Sequence, residues 1–223
     1  MVIRNMYRLL PFFFLACCLL QGVMQAEDSK IETNLGLDVE KDLGSGKGIF
    51  ISGLVKQRGF FESEYFRKIE AGGEYEVSER ISLRGSLKGV DLLGPSGWHR
   101  YYVPGVGVSL KWHPSRFEID FRNLFEFWNI LGENPAEIRL KQRLKVSTDM
   151  NLGSLRIKPF VSEEYLSTLN SNDHLVWNRV TGGNSFYFGK YITLDAYYIW
   201  QEKNGSLEWQ DAHVLGSKVK FSF

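Results

Sequence analysis

The chain has 223 residues, with 27 Lys and Arg against 26 Asp and Glu and a formal charge of +1. That balance lacks the basic excess of most nucleic-acid binders, so no nucleic-acid partner is expected. With 14% aromatic residues, 22 glycines and only six prolines, the composition favours strands and tight turns over helices.

The first object along the chain is a leader. Arg4 and Arg8 precede an apolar run over 9–20, and "GVMQA" places a small residue, Ala26, before the charged "EDSK". This predicts a secretory signal peptide over 1–26 and a mature domain over 27–223. Cys17 and Cys18 would leave with it, so no thiol, disulfide or Cys metal ligand is expected afterwards. The alternative is a lipoprotein, with "FLAC" as a poor lipobox and Cys17 acylated. No later stretch has the roughly 18 apolar residues of a membrane helix.

From residue 31 onward the hydropathy alternates with period two, in segments of about ten residues broken by turns. Ile31, Leu35, Leu37 and Val39 oppose Glu32, Asp38 and Glu40; a second, more apolar segment follows near 48–57. Ile69, Tyr75 and Val77 oppose Glu70, Glu74 and Glu76. Leu83 and Leu87 oppose Arg84 and Lys88, and Val106, Val108 and Trp112 oppose Gly105, Gly107 and Lys111. Phe117, Phe121, Phe125 and Phe127 oppose Glu118, Asp120, Arg122 and Glu126; Ile138, Leu140, Leu144 and Val146 oppose Arg139, Lys141, Arg143 and Lys145. Leu155, Ile157 and Val161 oppose Arg156, Lys158 and Ser162. A segment from 174 to 188 carries Gly182–Gly183, which predicts a bulge or kink. "YITLDAYYIWQ" and the terminal "HVLGSKVKFSF" complete eleven segments.

Segments of this length, with short turns ("HPSR", "GK") alternating with longer loops ("LGPSGWH", "LGENPA", "STLNSND"), predict an antiparallel transmembrane up-and-down β-barrel. Trp98, Trp112, Trp128, Trp177 and Trp200 lie at segment ends, as an aromatic girdle would. A soluble secreted β-sandwich would also alternate, but the charged face recurs on nearly every segment, the apolar faces carry large aromatics, and Phe223 closes the last strand. Eleven segments conflict with the even number of bacterial single-chain barrels. About 12 strands are therefore expected, with 10 next; either two strands are merged near 57–77 or the segment at 31–40 lies outside the wall.

The stretches "FRNLFEF", "IRLKQRLKV", "IKPFVSEEYL", "WNRVTGG", "LDAYYIWQ" and "HVLGSKVKFSF" resemble a bacterial family of uncharacterised outer-membrane barrels labelled domain of unknown function 2490. The resemblance covers about 117–223 in motifs and 31–112 in pattern. It implies fold and an outer-membrane location, and no chemistry. It also implies that Phe223, Phe221 and Val219 form a terminal signal recognised by the outer-membrane assembly machinery.

The inward faces supply the candidate site. Glu118, Asp120 and Glu126 on one strand face a basic cluster, Arg139, Lys141, Arg143, Lys145, Arg156 and Lys158, on the next two. One register puts Glu126 opposite Arg139 and Asp120 opposite Lys145; its neighbour puts Asp120 opposite Arg143. Such pairs would fill and stiffen a narrow lumen, contributing about 0.2–1 kcal/mol each. Left unpaired, the basic groups would line a small pore or an anion site. No catalytic residue, cofactor or metal is expected. The expected setting is a monomer among outer-membrane lipids and lipopolysaccharide, with a structural or transport-related role. A lipid-modifying acyl hydrolase or transferase is the alternative; it would draw on His99, His174 or His213 with Asp173, Asp211, Ser96 or Ser171.

Overall fold

In the computed structural model, the described residues are 31–59, 63–130, 137–153, 155–170, 176–204 and 209–223. The expected leader, Ser171, Asp173 and His174 lie outside them. The described residues form strands and turns, with no helix among them: β1 (Ile31–Gly44), β2 (Lys47–Arg58), β3 (Ser63–Ser78), β4 (Ile81–Gly94), β5 (Gly97–Trp112), β6 (Phe117–Ile130), β7 (Glu137–Thr148), β8 (Met150–Leu152), β9 (Leu155–Thr168), β10 (Val176–Phe188), β11 (Ile192–Asn204) and β12 (Trp209–Ser222).

Twelve strands match the expected number. Eleven of them, all but β8, are the eleven segments read from the sequence, and they close one barrel. The twelfth is the three-residue β8, paired only with β9. Neither remedy for the odd count is adopted. The 31–40 segment is in the wall, bonded to both β2 and β12, and 63–78 is one strand. In an up-and-down barrel with an odd number of strands, first and last run the same way. The closing seam is accordingly parallel, from Ile31↔His213 to Glu40↔Ser222, while every other pairing is antiparallel. The barrel is one closed sheet, not two packed ones, which removes the β-sandwich.

At one end lie the turns 45–46, 79–80, 113–116 and 189–191, together with Phe223; this is the turn end. The β1–β2 turn is built from left-handed residues, Gly44 (φ 77°), Ser45 (φ 54°) and Gly46 (φ 72°). The Gly44 amide donates to Asp42 Oδ1 at 2.8 Å. Ser78 Oγ accepts from the Arg80 and Ile81 amides at 3.3 and 3.2 Å, closing the next turn. At the opposite, loop end, "LGPSGWH" is shorter than expected, because β4 and β5 extend until only two residues separate them.

The apolar faces point outward and the charged faces inward. Ile51, Ile69, Leu87, Val106 and Val161 are 56–69% exposed. Exposed aromatics ring this band: Tyr75, Trp112, Phe117, Tyr191 and Phe223 at the turn end, and Trp98, Tyr102, Tyr165, Tyr198 and Trp200 toward the loop end. Two of the tryptophans assigned to the girdle turn inward instead. Trp177 is buried, and Trp128 donates Nε1–H to Glu126 Oε2 at 3.0 Å. Strand parity decides this: Trp128 shares its face with Glu126, and Trp177 shares its face with Arg179.

Inward aromatics lie flat on glycines of the neighbouring strand. Tyr197 pairs with Gly216, where an added Cβ would sit 2.1 Å from the Tyr197 ring; Phe50 lies likewise against Gly72. Gly183 faces Phe160 with no register shift, so the predicted bulge at Gly182–Gly183 is absent; the glycine makes room for a ring. Gly216→Val should therefore push Tyr197 off the wall and destabilise the barrel by about 1–3 kcal/mol. Gly216→Val/Tyr197→Ala should recover much of that loss, read as the folded fraction in a denaturant titration.

Candidate functional site in the barrel lumen

Because all the charged faces converge, the lumen is a network of ions. Its most buried acid is Glu126, 2% exposed, which accepts from Lys88 across the inward face of β5, where Gly105 leaves the wall bare. Asp120 pairs with Arg143 at 3.2 Å and approaches Arg122 at 4.0 Å. Glu118 pairs with Lys158 at 2.8 Å, Lys141 approaches Glu164 at 3.7 Å, and Arg179 approaches the same carboxylate at 3.6 Å. Glu70 gathers Lys68 at 3.0 Å and Arg84 at 3.2 Å.

The β6–β7 register is the first of the two considered, with Glu126↔Arg139 and Asp120↔Lys145 as Cα partners. The ions themselves pair diagonally. Arg139 makes two bonds to Glu137 on its own strand, at 3.0 and 2.7 Å, and stacks on Trp128 at 4.0 Å. Long side chains lean along tilted strands and reach diagonal neighbours as readily as opposite ones.

Within this network lies a cavity of about 760 Å³. It runs from Gly189 and Ser222 at the turn end up to a tier holding Lys56, Lys88, Lys141 and Arg179. Beyond that tier Val90, Val103, Leu166, Trp177 and Val214 are buried and line no part of it, so these apolar side chains, with the Arg139–Glu137 and Tyr65–Glu32 pairs, pack the loop half of the lumen. Of the six expected basic residues, Lys141, Arg143, Lys145 and Arg156 line the cavity; Arg139 and Lys158 are neutralised outside it. Cations outside that expected set join the lining: Lys56 and Lys68 from β2 and β3, Arg84 and Lys88 from β4, Arg122 from β6, Arg179 from β10, and Lys190, Lys218 and Lys220 at the turn end. Their inward parity was legible, but not their convergence across the barrel.

Of the residues considered for catalysis, Ser96 Oγ lies 2.8 Å from His99 Nε2 on the exposed loop rim, and Tyr198 bonds His213 Nδ1 at 2.5 Å. Among the described residues, no carboxylate bonds either ring. None of the His, Cys, Asp and Glu residues described forms a group of three placed to hold a metal ion.

The fold and site define a closed β-barrel with an apolar exterior and an ion-paired lumen. The model of the family described as "Protein of unknown function (DUF2490)" matches residues 56–211, and the chain belongs to that family. The match reaches further upstream than the motifs, into β2, and stops within β12. Comparison with curated proteins finds no match.

Removing one partner of a buried ion pair leaves the other charge stranded, at about 3–5 kcal/mol. Glu126→Ala should therefore lower barrel stability by that amount, and Glu126→Met/Lys88→Met should restore most of it, measured by urea titration in detergent micelles.

Proposed function

We propose that this chain is an integral outer-membrane protein of the bacterial envelope, exported by its leader. In this reading it has a structural or solute-handling role and is neither an open porin nor a lipid-modifying enzyme. The observation that carries the reading is the outward band of exposed Ile, Leu and Val, flanked by aromatics at both rims. In water such a surface would drive association; in a bilayer it matches the hydrocarbon core and its two interfaces. Closure supports the same setting, since lipid offers no partners to an open edge. In this orientation the short turns and Phe223 face the periplasm. Phe223, Phe221 and Val219 would then present the strand that the assembly machinery recognises, and the loop rim would meet lipopolysaccharide.

The packed apolar tier of the lumen argues against a steady ion path. The protein should fractionate with outer membranes and migrate as a compact band without boiling, shifting when boiled. It should give no conductance steps in a planar bilayer. Recovery in the soluble periplasm would reject the membrane reading, and regular conductance steps would reject the closed lumen.

A further inference from the structure

The cavity is lined by thirteen Lys and Arg against six Asp and Glu. Glu126 and Asp149, just outside the lining, pair with Lys88 and Arg156, which still leaves a clear positive excess. Besides the exposed Lys190 at the rim, two ammonium groups of the lining make no ion pair among the described residues. Lys56, 9% exposed, rests over the Phe66 ring at 5.1 Å; Lys145 rests over Phe160 at 4.3 Å. Arg143 gives one nitrogen to Asp120, yet its buried Nε has no acceptor. Cations without a contact partner, in a lining with more bases than acids, raise one another's energy and focus a positive potential down the lumen, a field that draws anions in. A burial cost of this kind, spread over β2, β7 and their neighbours, is removed by a guest carrying the missing charge.

We propose that the lumen is a blind binding site for a small multivalent oxyanion, a phosphate ester or polycarboxylate, entering at the turn end. The volume falls in the range of about 300–1,000 Å³ usual for small-molecule sites. The planar guanidinium forks of Arg143, Arg122 and Arg84 suit bidentate bonds to the oxygens of such groups. The guest is a free solute and not a lipid headgroup, because the lining reaches Gly189, Lys190 and Ser222 at the turn end, inside the ring of strands, and the wall offers acyl chains only its outer face. Buried acceptors without donors, Asn34 Oδ1, Asp38 Oδ1 and Asp120 Oδ1, would favour a guest that also bears hydroxyls. The entry side rests on the orientation proposed above; the site itself rests on the lumen.

The test uses the full protein in detergent micelles at low ionic strength, with inorganic pyrophosphate and citrate as probes in calorimetry. At least one should bind saturably, one to one. Lys56→Gln/Lys145→Gln should weaken it at least tenfold, while Arg116→Gln, on an exposed turn outside the lumen, should leave it unchanged. Lys56 and Lys145 make no contact ion pair, so their removal should leave the compact gel band intact. On the unaltered protein, the binding anion should raise the temperature at which that band is lost, and magnesium chloride at equal ionic strength should not. Saturation by neither probe, or equal weakening by Arg116→Gln, overturns the site. The compact band would survive that failure, so loss of the anion site and loss of the barrel reading are told apart.

Discussion

Everything in this molecule depends on the seam between β1 and β12. A sheet with an apolar outer face must leave no row of bare N–H and C=O groups at an edge, and eleven strands can satisfy that only by closing in parallel. Parallel pairing is slightly weaker per residue than antiparallel, and the seam is reinforced where it can be. On the lumen side Lys218 reaches Asp38 at 2.8 Å and Lys220 reaches Glu40 at 2.6 Å. At the turn end the Phe223 amide donates to Glu40 O, and its carbonyl accepts from Asp42 N, each at 3.0 Å. The Phe223 ring stacks on Tyr191, so the last residue ties β12 to strands on both sides.

Closure turns every charged strand face toward one narrow space, and the interior resolves the resulting crowding in three ways. Acids and bases pair diagonally across strands. Aromatics lie flat on glycines and carry cations on their exposed faces, as Arg84 does on Phe50 at 3.7 Å and Lys145 on Phe160. Toward the loop end Val, Leu and Trp fill the space between the remaining pairs, such as Arg139–Glu137. These devices leave an asymmetric lumen, packed in one half and hollow and basic in the other.

The wall was legible in the sequence because period two is a local property. All eleven wall strands and the inward placement of the charged cluster follow from alternation and turn position, while the β6–β7 register was narrowed to two and chosen only by the structure. What failed depends on three dimensions. The parallel seam was not legible, since nothing in one strand reveals how the last meets the first. Trp128 and Trp177 were placed by their position at strand ends, when their parity with Glu126 and Arg179 already turned them inward. Gly183 looked like a defect in its own strand, and only the facing Phe160 explains it. The cavity was not legible: Lys56 and Lys145 lie far apart in sequence, and whether a lysine finds a carboxylate depends on tilt and diagonal reach.

The parallel seam is tested most directly by cross-linking it. Leu37 and Val219 are Cα partners across β1 and β12, both on the outer face. In a chain carrying Leu37→Cys and Val219→Cys, oxidation should give an intramolecular disulfide in nearly all folded molecules, seen by peptide mass after proteolysis. The pair Leu37→Cys with His213→Cys, six residues out of register, should give almost none. Absence of the first bond in a folded barrel, or its formation only between molecules, would contradict closure by this seam.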